Sequence, residues 1–86
     1  MFDEAANHGD RAALAALTPR ELEVLQLISH GLTNAEAAGR LNLSVHAIKF
    51  HLAGVYSRLG VNNRTEAAVT YLRLSNGASP PNAQAL

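Results

Sequence analysis

Three short strings punctuate this chain: "TPRE" at 18–21, "TNAE" at 33–36 and "NRTE" at 63–66. Each places a Thr or Asn three residues ahead of a Glu. In that spacing the first side chain and the Glu can satisfy each other's otherwise unpaired backbone N–H groups, which starts a helix. Pro19 sits at a first helical position, where its missing N–H costs nothing. Leu17 with Leu22, and Leu32 with Ala37, stand where a hydrophobic staple would pack. Gly31 after "VLQLISH" and Gly60 after "VYSRL" can take the left-handed conformation that closes a helix, and Val61 is placed to pack back on Tyr56. The starts and stops predict four helices, over about 19–30, 34–41, 45–59 and 64–75.

Such short helices need small side chains between them. Apolar residues make up 48% of the 86, yet Ala dominates them, with two Tyr, two Phe and no Trp, which favours packed helices over a sandwich or barrel. The chain is one small domain and a marginally stable one. No cysteine is present, so disulfides and thiolate metal sites are excluded. No apolar run approaches the length of a membrane span, and the acidic start "MFDEAANHGD" lacks the basic flank and apolar core of a secretion signal. A reducing cytoplasm fits.

Net charge is zero, but it is unevenly spread. Asp3, Glu4 and Asp10 against Arg11 leave the first 17 residues at −2, while residues 18–75 carry +2. The folded part is therefore mildly basic and residues 1–16 form an acidic leader or linker. From 76 to 86 the chain has no charge and two adjacent prolines, the composition of a disordered tail.

Between the second and third helices only "NLS" intervenes, the link length of a helix-turn-helix. Asn42 is one of the few non-glycine residues that tolerates a left-handed turn, Leu43 plugs the corner, Ser44 caps the next helix, and Ala38 permits a close crossing. A generic helical hairpin is the plainer alternative. In the third helix Ile48, Leu52, Val55 and Leu59 form one apolar stripe. The opposite face holds His46, Lys49, Phe50, Ala53 and Ser57, too small and too apolar for an ordinary solvated surface.

The strings "LTPRE.EVL", "GLTNAE.A..L.LS", "IK.H" and "LGV..R.EA" together resemble the LuxR/FixJ/NarL/GerE type of helix-turn-helix domain over about residues 17 to 74. The resemblance implies an all-α, four-helix domain of a bacterial transcription regulator, with the third helix in the DNA major groove and the fourth serving dimerisation. Residues matching the family's base-reading positions are Lys49, Phe50 and Ala53. Lys can address guanine O6 and N7, and an aromatic edge can meet a thymine methyl. Backbone candidates are Thr33, Asn34, Ser44, His46, His51, Arg58 and Arg64; dimer candidates are Val69, Leu72 and Arg73. Three positions depart from the family pattern: Ala47 replaces a Thr, Ala35 a basic residue and Ala37 a branched apolar one, which removes backbone contacts and thins the core.

Each residue also has a plainer reading. Lys49 could be simply solvated, Phe50 could fold back on the domain, and His51 could be structural. Thr33 and Ser44 could only cap, Glu36 and Arg64 could form internal ion pairs, Arg20 could face solvent, and Leu72 with Leu74 could merely finish the core. Gly54 could reflect close packing or groove clearance. No pair of His or acidic residues has metal-ligand or acid–base spacing, and no phosphate loop or nucleophile motif occurs, so neither an enzyme nor a cofactor is expected. The expected partners are double-stranded DNA, a second copy and, as a further candidate, RNA polymerase; neither a membrane nor a small-molecule ligand is expected. The rival function is a protein-interaction bundle using Phe50 and the alanine face, and a sigma-factor region is a third. Larger relatives carry a receiver or ligand-binding domain upstream, so the chain reads as an effector domain or a small stand-alone regulator.

Overall fold

The computed structural model describes residue 12 and residues 14–78. Among them four α-helices and no strand occur: α1 (Pro19–Ser29), α2 (Asn34–Leu41), α3 (Val45–Leu59) and α4 (Arg64–Ala78). No helix of the described residues is long and apolar enough to cross a membrane.

The predicted capping devices set the helix starts. At α1 the Glu21 N–H donates to Thr18 Oγ1 and the Thr18 N–H to Glu21 Oε1, both at 3.0 Å. At α2 the Glu36 N–H donates to Thr33 Oγ1 at 3.1 Å and the Thr33 N–H to Glu36 Oε1 at 2.8 Å. At α3 Ser44 Oγ accepts from the Ala47 N–H at 3.0 Å. The third predicted box is altered. Asn63 Oδ1 accepts from the Glu66 N–H at 2.9 Å, but the Glu66 carboxylate reaches one residue further back, to the Asn62 N–H at 2.8 Å. Both partners still satisfy a donor at the helix start, which is the physical requirement.

The stops follow the same logic. Gly31 and Gly60 have φ of 95° and 70°; a side chain at either would be strained, so glycine closes both turns. Asn42 turns the corner between α2 and α3 at φ 58° and ψ 45°. The Leu43 N–H then bonds back to Ala38 O at 2.9 Å, so the corner is both bent and tied. α4 runs to Ala78, three residues past its predicted end. Asn76 and Gly77 stay helical because no left-handed turn is required there, and the nearest strong break is the Pro80–Pro81 pair, where the residue before proline disfavours helix. The expected disordered tail lies, beyond Ala78, outside the described residues.

Two apolar clusters hold the helices together. One joins α1, α2 and α3 through Val24, Ile28, Ala37, Ala38, Ile48 and Leu52. The other joins α1, α3 and α4 through Leu17, Leu25, Val55 and Ala67, and Tyr56 packs against both. Ala37, Ala38 and Ala67 are all buried; their size lets the backbones approach. Leu14 and Leu22 pack on the second cluster, to which Leu17 belongs, so both residues of the first predicted staple enter the same apolar cluster. Charge composition groups Leu14 with the leader. Leu14 instead joins the core, where a helical turn (Ala16 N–H to Ala12 O, 3.0 Å) precedes α1. The remainder of the leader before residue 12 lies outside the described residues.

Candidate nucleic-acid interface

α3 buries Ile48, Leu52 and Val55, while Leu59, the fourth member of the stripe, is half-buried. The opposite side is open. His46, Lys49, Ala53 and Ser57 are exposed, and Phe50 is 73% exposed. Phe50 does not fold back onto the core; its ring meets the neighbouring His51 edge-on, with centroids 5.7 Å apart and planes at 71°. No Asp or Glu occurs anywhere on α3. The outer surface is thus a protruding aromatic beside one ammonium and a bare alanine, with no carboxylate on the helix to repel a polyanion.

The starts of α2 and α3 carry the remaining candidates. Thr33 and Ser44 are exposed, and both serve as caps. Capping uses a hydroxyl lone pair and leaves the O–H proton available, so either can also donate to an anion. Arg64, at the start of α4, donates to Asn34 Oδ1 at 2.8 Å and also to Leu32 O. That tie fixes the mouth of α2 and leaves the Asn34 amide nitrogen to point its protons elsewhere. Glu36 closes the capping box rather than pairing with Arg64. Arg20 pairs with Glu23 on an exposed face at 3.3 Å, as the solvated-face reading expects. His46 is exposed in the first turn of α3 and His51 is half-buried.

Residues 15–71 match the family described as bacterial regulatory proteins, luxR family. The chain belongs to the LuxR family. At 44% identity over 54 residues this LuxR-family domain is similar to the transcriptional regulatory protein LiaR of Bacillus subtilis (strain 168), the match covering 63% of this chain and 26% of LiaR. It is 43% identical over 53 residues to ComA of the same organism, covering 62% of this chain and 25% of ComA. A longer match, 62 residues at 37% identity, is to the probable transcriptional regulatory protein SgaR of Hyphomicrobium methylovorum, covering 72% of this chain and 29% of SgaR. The chain therefore spans under a third of the length of these relatives.

Two features beside this face are not legible from local spacing. Glu21, expected only as a cap, is buried at 7% exposure, and its second carboxylate oxygen accepts from Arg58 on α3 at 3.2 Å. A Cβ built on Gly54 would collide with that carboxylate, and Arg58 Nη1 lies 3.5 Å away. Gly54 therefore reflects close packing. Its cost inside a helix, about 1 kcal/mol relative to Ala, was the available signal, but the identity of the close neighbour was not legible. On α4, Ala67 is buried and Ala68 and Tyr71 are half-buried, while Val69 (54%), Leu72 (40%) and Arg73 are exposed along one stripe. Leu72 thus does not complete the core; Leu74 is half-buried.

Proposed function

We propose that this domain binds double-stranded DNA sequence-specifically as part of a bacterial transcriptional regulator, with α3 in the major groove. The observation that carries the reading is the carboxylate-free outer face of α3, where Lys49, Phe50 and Ala53 stand exposed. A major groove admits one α-helix. Ala53 keeps the helix slim enough to enter, Lys49 reaches guanine O6 and N7, and Phe50 meets a thymine methyl. Thr33, Asn34, Ser44, His46 and His51 address the phosphates on either side. Arg58 and Arg64 join them with guanidinium donors left over from their internal bonds, since each carries five. These contacts set register, and the base contacts set sequence.

One copy carries few cations, so a second is needed. Val69, Leu72 and Arg73 supply the stripe through which α4 pairs with α4 of another copy. A two-fold pair presents its reading helices to half-sites about one helical turn apart, hence an inverted-repeat operator. The relatives named as transcriptional regulatory proteins support the same reading, and it places the domain in the bacterial cytoplasm, with RNA polymerase as a further partner.

The test is salt. For a dimer neutralising about four phosphates, affinity should fall roughly a hundredfold between about 50 and 200 mM monovalent salt. Binding that stays flat over that range points instead to an apolar protein partner. Leu72→Glu places two carboxylates across the proposed two-fold seam. The expected result is loss of the slower-sedimenting to faster-sedimenting shift on an inverted-repeat duplex, with single half-site binding retained. Unchanged two-copy binding by this variant places the dimer seam elsewhere.

A further inference from the structure

We propose that Glu21 is a positioning residue for DNA reading: it sets the rotation of α3 through Arg58 and the bare Cα of Gly54. The inference rests on the proposal that α3 reads DNA. Glu21 is the single buried charged or polar residue among the described residues. Its two oxygens serve different elements. Oε1 is held by the Thr18 N–H at the start of α1, and Oε2 by Arg58, 37 residues away on α3. One end of the carboxylate is thus anchored to a capped, rigid helix start, and the other grips the reading helix.

Gly54 makes the grip close. Gly54 and Arg58 lie one turn apart on the same side of α3, and the carboxylate fills the space a side chain at 54 would take. Ala47 and Phe50 continue that row toward the N-terminus of α3. The apolar stripe on the far side of α3 resists displacement but tolerates small rotations, since hydrophobic contact is not directional. A charge-assisted hydrogen bond is directional. Side-chain atoms stand about 5–6 Å from a helix axis, so a rotation of about 10° moves them by about 1 Å. That is more than the whole width of the normal hydrogen-bond distance range, and it is enough to take Lys49 and Phe50 out of register with base edges.

This reading differs in sign from simple electrostatics. Glu21→Gln removes a negative charge next to the reading helix and releases Arg58, so charge alone predicts tighter DNA binding. Positioning predicts a loss of discrimination. Gly54→Ala drives the carboxylate off α3 with no change of charge and with a residue that favours helix.

The experiment compares the full 86-residue chain with Glu21→Gln, Gly54→Ala and Lys49→Ala. The probes are a duplex enriched from a random pool by the wild-type chain and a scrambled duplex of equal length, at a temperature where circular dichroism shows each variant folded. The expected result is a fall of about five- to tenfold in the selected-to-scrambled affinity ratio for both Glu21→Gln and Gly54→Ala, a weakening of base contacts rather than the outright loss of one. The salt slope of Gly54→Ala should stay at the wild-type value. A purely structural role lowers both affinities together and leaves the ratio unmoved, which overturns the proposal. So does tighter specific binding by Glu21→Gln. Should Glu21→Gln fail to fold, Gly54→Ala decides alone. Lys49→Ala separates the two readings: a wild-type ratio there removes α3 as the reading helix, whereas a collapsed ratio there with wild-type ratios for Glu21→Gln and Gly54→Ala removes only the role of Glu21.

Discussion

Lys49→Ala should bring the affinities for operator and random duplex together by about 2–6 kcal/mol. The range is that of one good base contact, about 1–3 kcal/mol, counted once for each copy of a dimer. Lys49 is exposed on a helix that carries no acidic side chain, and it is the only lysine in the chain. Non-specific binding should weaken much less, because phosphate contacts from Thr33, Asn34, Ser44 and the histidines persist. Parallel titrations of a selected and a scrambled duplex measure the difference directly. The thermal midpoint serves as the control: a solvated surface side chain usually changes stability by no more than about 0.5 kcal/mol, so the variant should melt close to wild type. A variant that kept the wild-type discrimination would leave the outer face of α3 without a reading role.

The adjacent residue should behave in the opposite way. Ile48 has no exposed surface and belongs to one buried cluster with Val24, Ile28, Ala37, Ala38 and Leu52. Ile48→Ala removes three carbons from the one cluster that joins α1, α2 and α3. Such truncations cost about 2–5 kcal/mol, with the upper end reached where the surroundings cannot collapse. Ala37 and Ala38 are already minimal and lie on α2, whose corner is tied at Leu43, so little relaxation is available. In a domain this small about 3 kcal/mol corresponds to a fall of roughly 12–24 °C in the melting midpoint, and to a large fraction of the total stability. A fall of less than about 4 °C would show that the stripe does not anchor α3. Two neighbouring residues, one facing each way, thus separate anchoring from reading.

Much of the fold was legible because its signals are local. A capping box needs only residues three apart, and the Thr18 and Thr33 boxes form as written. Asn42 takes its left-handed turn for the same reason: the preference belongs to the residue and its immediate neighbours. The buried stripe of α3 follows from a helical period that any amphipathic helix must obey. Where the local signal was weak the boundaries moved. The end of α4 shifted to Ala78 because no residue demanded a turn, and Leu14 joined the core although charge composition had grouped it with the leader.

The amino-acid sequence by itself therefore determined the four helices, their caps and the open face of α3, since each depends on residues within about one turn of one another. Only the tertiary structure decided that Glu21 reaches Arg58 across the domain, that Gly54 is small to make room for that carboxylate, and that Arg64 bonds Leu32 and Asn34. Those contacts join residues 30 to 37 positions apart, and which long side chain meets which depends on how the helices cross. That angle is set by the summed packing of both apolar clusters, and no spacing along the chain encodes it.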